Sequence, residues 1–200
     1  MLIVAVNGSP RKDGSTSYLL QESLKVARER GLSTEIIHVS EVLEDAEHPF
    51  CNYCMEVCTG KCFLGSKLED AYALLKEADG IIVGTPVYFG TVSAQLKGFW
   101  DKTRFMRKEK SLLNTVGGVV TVGGARFGGG QETALNAVIH MMLVQGMTIV
   151  GDGYFENDCG HFGSCAQRPS EKDEFALHRA HIIMKRIIEV AEATRELRKR

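Results

Sequence analysis

The chain has 200 residues, 44% of them hydrophobic and 24% charged, which suits one ordinary soluble domain, residues 1–200, with a sizeable core. A net charge of -1 and a pI near 6.6 give no electrostatic footprint for nucleic acid or an acidic membrane surface. No apolar run reaches the roughly 18 to 20 residues of a membrane span. Met1 to Val6 has no basic leader and reads as a strand rather than a signal peptide, so the cytoplasm is the expected compartment.

Residues 2–6 are continuously apolar, as in a parallel strand covered on both faces. The loop Gly8-Ser9-Pro10-Arg11-Lys12-Asp13-Gly14-Ser15-Thr16-Ser17 follows, and Tyr18, Leu19, Leu20, Leu24, Val26 and Ala27 then recur at helical spacing up to Gly31. Thr34 to Val39 supplies a second strand. From about residue 44 to 66 neither period is visible, and a loop of that length inside a compact domain is usually functional or disordered. Leu68 to Ala78 reads as a helix and Gly80 to Gly84 as a short buried strand that opens into Thr85-Pro86-Val87-Tyr88-Phe89-Gly90. Ser93 is placed to cap a helix carrying Ala94, Leu96, Phe99 and Trp100.

Val116 to Val122 is a fourth strand, followed by Gly123 to Gly130 with five glycines in eight residues. Gln131 to Gln145 is a nearly all-apolar helix, expected to be buried or to face another subunit. Thr148 to Gly151 is a fifth strand. An amphipathic helix on Phe175, Ile182, Ile183, Ile187 and Val190 runs from Glu171 to about Leu197, and the basic tail Arg195 to Arg200 reads as its solvated last turns. Five strands alternating with five helices argue for an α/β doubly wound five-stranded parallel sheet with a cysteine-rich insertion loop. Ligands of such sheets lie beyond the carboxyl ends of the strands, so the loops after the first, third and fourth strands share one edge.

The first loop lacks both the Gly-x-Gly-x-x-Gly spacing of dinucleotide folds and the Gly-Lys-Ser/Thr ending of a P-loop. It offers hydroxyls instead. Ser9, Ser15, Thr16 and Ser17, with backbone N–H groups at a helix start, can hold a terminal phosphate that Arg11 partly neutralises. The second loop suits a flat ring: Pro86 and Gly90 shape the turn, the backbone around Val87 can face a polar edge, and Tyr88 or Phe89 can cover a face. In the third loop Gly124, Ala125 and Gly129 let the backbone approach a ligand closely. A monophosphate at one end and an isoalloxazine-sized ring at the other is the outline of FMN.

Gly8-Ser9-Pro10-Arg11 with Gly14-Ser15-Thr16, then Ala78 to Gly90 with Ser93-Ala94-Gln95-Leu96-Lys97, then Gly124-Ala125-Arg126 to Gly130-Gln131-Glu132, resemble the NADPH-dependent FMN reductase family, whose flavodoxin-like members include the iron-sulfur flavoproteins. The resemblance covers nearly the whole chain. It implies a strand order 2-1-3-4-5, dimers or tetramers, and FMN held at Ser9, Arg11, Ser15, Thr16, Pro86, Val87, Tyr88, Phe89, Gly90, Gly124 and Ala125.

Cys51, Cys54, Cys58 and Cys62 place four thiols within twelve residues, closer than the two separated pairs of a structural zinc site and like the spacing of ferredoxin-type ligands. The resemblance implies a [4Fe-4S] cluster here; unligated redox-active thiols and zinc are the alternatives. Cys159 and Cys165, with His161 between them, read as unligated loop residues. Flavin carries the chemistry itself, so no catalytic acid or base is expected. The expected activity is that of an FMN-dependent oxidoreductase fed by NAD(P)H or a ferredoxin-like donor, with a cluster-free NAD(P)H:FMN reductase or a non-enzymatic FMN-binding redox sensor as the alternatives. Phe99, Trp100 and the Gln131 helix suggest a homodimer or homotetramer.

Overall fold

The computed structural model describes residues 1–199. Six parallel strands form one sheet: β1 (Leu2–Asn7), β2 (Ser33–His38), β3 (Gly80–Pro86), β4 (Val116–Gly123), β5 (Thr148–Ile149) and β6 (Ser164–Gln167). The order is β2-β1-β3-β4-β5, as the family resemblance implies, with β6 also paired to β4. The fifth position is therefore shared. β5 runs beside Val116 and Gly117, β6 beside Val120 to Gly123, and the irregular stretch 150–163 lies between them. The expected fifth strand to Gly151 is cut to two residues, and β6 was not legible because Ser164-Cys165-Ala166-Gln167 has no apolar run.

The described residues also form seven α-helices: α1 (Ser15–Glu29), α2 (Val39–Val42), α3 (Lys67–Glu77), α4 (Ala94–Asp101), α5 (Arg104–Glu109), α6 (Gln131–Val144) and α7 (Glu174–Ala193). Alternation along the strands divides the core in two, because successive side chains point to opposite faces. Ile3, Ala5, Ile82, Val120 and Val122 pack with α1 and α7. Val4, Val6, Ile81, Val83 and Val119 pack with α3, α4 and α6. Glycines in β4 let helices close on the sheet: a Cβ on Gly118 would stand 3.0 Å from Ile187 Cδ1, and one on Gly117 3.0 Å from Met142 Sδ.

Four expectations are corrected. Phe99 and Trp100 are 0% and 5% exposed within this one chain, so they serve its own core and offer nothing to a second subunit. Phe175 is exposed beneath the Arg179 guanidinium instead of contributing to the core face of α7. The final helix ends at Ala193, and the tail after it is not simply solvated. Arg198 donates to the Thr194 hydroxyl at 3.2 Å and lies 3.4 Å from the Asp79 carboxylate, its side chain only 3% exposed. Arg200 lies outside the described residues.

Candidate functional site

β1 ends at Asn7, and the chain turns through residues 8–14 before α1 begins. The turn is braced from two sides. Gly8 N–H donates to Gly84 O at 2.8 Å, and Ser93 Oγ donates to Gly8 O at 2.5 Å. A Cβ at Gly8 would sit 2.8 Å from Leu96 Cβ, which is why glycine stands there. Ser9 is buried; its N–H donates to Asn7 Oδ1 at 3.0 Å and its Oγ accepts from Arg11 N–H at 3.1 Å.

Helix α1 begins at Ser15 with Gly14 at its N-cap, so it has no side-chain cap, and its first turn holds no acidic residue. Ser15, the first helical residue, makes no capping bond. Helices α3, α4 and α7 are closed by side chains: Ser66 accepts from Leu68 N–H, Ser93 from Leu96 N–H and Asp173 from Ala176 N–H; α6 is uncapped like α1 but carries Glu132 in its first turn. The first turn of α1 thus keeps donor groups and the positive end of its dipole available to an anion. Thr16 and Ser17 are buried in that turn, whereas Ser15 is half-buried and holds Ser170, whose Oγ donates to Ser15 O at 2.8 Å. Arg11 is exposed and folds over the loop, its Nε 3.7 Å from where a Cβ of Gly14 would be. Lys12 turns away to an exposed ion pair with Glu41 at 2.5 Å.

Pro86 is the last residue of β3 rather than a loop residue, and Val87 N–H donates to Val122 O at 2.9 Å. Tyr88 and Thr91 exchange backbone hydrogen bonds at 3.0 and 3.1 Å across a tight turn with φ +49° at Phe89 and +77° at Gly90. This turn presents Phe89 wholly to solvent, at 109% exposure, with Tyr88 partly exposed beside it. The third loop meets the second at Gly130, where a Cβ would stand 2.7 Å from Gly90 Cα and 3.2 Å from Val87 Cγ1. Thr133 Oγ1 lies 2.6 Å from Gly90 O and 2.8 Å from Gly130 O. Gln131 Nε2 donates to Ala125 O, and a Cβ on Gly129 would collide with that same carbonyl. Arg126 reaches Asp173 at 3.1 Å. Gly124 faces open space and Phe127 is exposed.

The three loops are thus brought to one edge and tied to one another. Together they offer a helix terminus that favours an anion, buried hydroxyls, close-lying backbone and two exposed phenylalanines. Among the described residues, the loops bring together donor groups, hydroxyls and close backbone rather than a nucleophile paired with a base.

The cysteine loop lies elsewhere. It packs on α4, where a Cβ on Gly98 would collide with Pro49 O, and on α5, where Arg104 donates to Met55 O at 2.8 Å and Glu56 O at 2.5 Å while stacking 4.0 Å over the Tyr53 ring. Cys51 and Cys58 are half-buried, Cys54 and Cys62 exposed, and all four are free thiols. The Tyr72 hydroxyl, donating to Phe99 O at 2.9 Å, has its pKa pushed well up by burial first and then by Cys62, Cys51 and Cys58. Three of the four thiols therefore share the neighbourhood of one buried group. Among the described residues, however, no three or more His, Cys, Asp or Glu side chains are gathered as a metal-holding set.

Cys159 and Cys165 carry free thiols, and only Cys159 lies in a loop as expected. Cys165 lies on β6, its thiol pushed up by burial although Thr121 Oγ1 donates to it at 3.4 Å. The nearby loop is fastened by buried Asp152, which accepts from His161 N–H and lies 3.3 Å from Arg179 Nε. Sequence reasoning missed Asn7, Arg104, Thr133 and Ser170, which hold the loops in place, and Thr85, whose Oγ1 accepts from Ser93 N–H at 3.3 Å. Only Asn7 carried a signal, as an amide ending an apolar strand; Ser170 meets Ser15 across 155 residues.

A parallel sheet of this order with its loops so placed defines a flavodoxin-like protein. Among solved structures, a flavodoxin, WrbA-like protein from Agrobacterium tumefaciens superposes with a TM-score of 0.66 at 22% identity, over 96% of this chain and 98% of that one. The sequence pattern of the NADPH-dependent FMN reductase family matches residues 1–161, and the chain belongs to that family. It is an FMN-dependent oxidoreductase. An iron-sulfur flavoprotein of Methanocaldococcus jannaschii is 38% identical over 199 residues, covering 96% of this chain and 98% of its own. Another, from Methanosarcina thermophila, is 33% identical over 193 residues and covers 96% of both chains. No helix among the described residues is long and apolar enough to cross a membrane.

Proposed function

We propose that this protein is a one-domain, cytoplasmic electron-transfer flavoprotein that accepts reducing equivalents from NAD(P)H or a reduced ferredoxin-like donor and passes them to an acceptor. FMN, when bound, supplies both hydride and single-electron chemistry. Ser9, Arg11, Ser15, Thr16 and Ser17 hold its phosphate; Pro86, Val87, Tyr88, Phe89, Gly90, Gly124, Ala125 and Gly129 surround its ring. The observation that carries this reading is the first turn of α1, uncapped and free of acidic residues, beside the buried Ser9. Two or more charge-assisted hydrogen bonds to phosphate are worth about 3 kcal/mol or more together. Riboflavin, which lacks the phosphate, is therefore expected to bind at least about a hundredfold more weakly than FMN in a fluorescence titration. Equal affinity for the two would remove the anchor.

Cys51, Cys54, Cys58 and Cys62 are the thiols that would hold a [4Fe-4S] cluster, and the names of the relatives support it. A cluster supplies one-electron transfer when bound. The chemistry of the donor set suits it, although the thiols are not gathered as a ligand set. That observation favours the second reading, a cluster-free NAD(P)H:FMN reductase with thiols free to react. Protein purified without oxygen separates the two. Iron and acid-labile sulfide in about fourfold amounts per chain support the cluster; flavin without iron supports the second reading. Bleaching of the flavin by NADPH or NADH identifies a nicotinamide donor, and bleaching by reduced ferredoxin alone identifies a protein donor. Flavin reduced by neither would point to a redox sensor. Absence of bound flavin and of any uptake of FMN would refute the whole assignment.

A further inference from the structure

We infer that His38 is a positioning residue of the phosphate loop, holding Asn7, and through it the backbone of Ser9, only while the imidazole is neutral. The inference rests on the reading of residues 8–17 as the FMN phosphate site and adds to it a residue, Asn7–His38 coupling and a pH dependence.

Asn7 ends β1, is 0% exposed, and pairs in register with His38 at the end of β2. A carboxamide has one end that accepts and one that only donates. Ser9 N–H can only donate, and it reaches Asn7 Oδ1 at 3.0 Å. The orientation of the amide is thereby decided. Its Nδ2, a donor, then faces His38 Nδ1 at 3.1 Å, so that ring nitrogen must accept and the ring proton must sit on Nε2. Neutral imidazole meets this requirement and imidazolium does not, because both of its nitrogens donate.

When His38 takes a proton from solvent, two donors face each other. Either the Asn7–His38 bond is lost, or the amide turns over and presents Nδ2 to Ser9 N–H. Both outcomes loosen Ser9, whose Oγ accepts from Arg11 N–H at 3.1 Å and so shapes the rest of the loop. The link runs from a half-buried ring at the protein flank to a buried serine at the candidate phosphate site.

The surroundings favour the neutral ring. Burial lowers the His38 pKa from its ordinary value; Glu41 on α2 raises it, Lys12 lowers it and Asp13 raises it. On the side of the phosphate loop, His38 lines a cleft of about 350 Å³ with Tyr18 of α1 and Glu171. On the other side Glu44, Lys67 and Asp70 line a second cleft with it. Lys12 and Glu41 are paired with each other, so the Glu41 carboxylate already has a cation.

The test is the FMN dissociation constant, read by quenching of flavin fluorescence between about pH 8 and about pH 5, in the wild-type chain and in His38→Asn. The asparagine oxygen can accept from Asn7 Nδ2 without titrating. The FMN phosphate itself takes up a proton near pH 6, so both proteins weaken on the acid side. The expected result is similar affinity at the alkaline end, then an additional loss of about three- to tenfold in the wild type alone, the worth of one hydrogen bond. Superimposable profiles with FMN bound overturn the role of His38 and leave the proposed function standing. No FMN binding by either protein at any pH overturns the proposed function instead. A flavin-free readout covers the case in which the variant fails to fold. In the ¹⁵N-labelled wild-type apoprotein, His38 is expected to carry its neutral-state proton on Nε2 and the Ser9 amide to shift with the His38 titration. A proton on Nδ1, or a Ser9 amide indifferent to that titration, overturns the inference.

Discussion

Gly130 sits at φ +84° with Gly90 Cα across from it, and both facts exclude a side chain there. Gly130→Ala strains the backbone and pushes the second and third loops apart, a cost of about 1–3 kcal/mol. Because those loops flank the candidate ring site, the loss is expected as a roughly tenfold or greater fall in FMN affinity, measured by titration. Asp158 is a second residue whose behaviour follows from one contact. Its carboxyl is lowered from 3.8 to about 2, chiefly by hydrogen bonds from Arg179, with burial opposing and the Gly160 N–H assisting. The folded pKa is the depressed one, so the unfolded chain binds a proton first as pH falls. The pair's contribution is complete above about pH 4 and is lost as pH falls through the folded value. Asp158→Asn should abolish that acid-side dependence and speed hydrogen exchange in residues 153–161, whereas an NMR titration placing Asp158 near an ordinary carboxylate would refute it.

Among the elements, α5 has a role its six residues do not suggest. Arg104 on its first turn holds two carbonyls of the cysteine loop and covers the Tyr53 ring, all between Cys51 and Cys58. A stretch without regular structure from Ala46 to Gly60 has few other ways to keep one conformation. Arg104→Ala is expected to cost about 1–2 kcal/mol locally. Hydrogen exchange and proteolysis should quicken at residues 50–60 while the α6 and α7 amides stay protected, and iron content, if a cluster is present, should fall. Unchanged exchange in that loop would show that Arg104 is incidental. Helix α1 was legible from its apolar spacing, and its open N-terminus from the glycine and hydroxyls before it. Helix α5 was not: Arg104 to Glu109 is short and charged, and it forms because Phe105 packs on Phe63 and Tyr72 and Met106 is fully buried.

At the scale of the molecule, the surface has apolar residues that this chain does not cover. Leu143 and Val144 end α6 at 53% and 61% exposure, and Phe89, Phe127, Phe155 and Phe162 project from the loops. The buried Phe99 and Trp100 no longer argue for assembly, but the outer end of α6 does, since a monomer seldom leaves large adjacent apolar side chains in water. A homodimer or homotetramer is expected by light scattering, and Val144→Glu should lower the mass observed. A monomeric wild-type chain would contradict this.

The sequence alone determined the layered α/β fold, because continuous apolar strands and helical spacing leave few ways to bury both faces of each strand. It also determined that three glycine- and hydroxyl-rich loops meet, since loops after the carboxyl ends of neighbouring parallel strands must share an edge. Tertiary structure alone decided what braces those loops. The contacts of Ser15 with Ser170, of Gly8 with Gly84 and Ser93, and of Asn7 with His38 join residues far apart in the chain, so no local pattern encodes them. It alone showed that the fifth strand is two strands and that Phe99 and Trp100 face inward, because periodicity gives the apolar face of an element but not what lies against it.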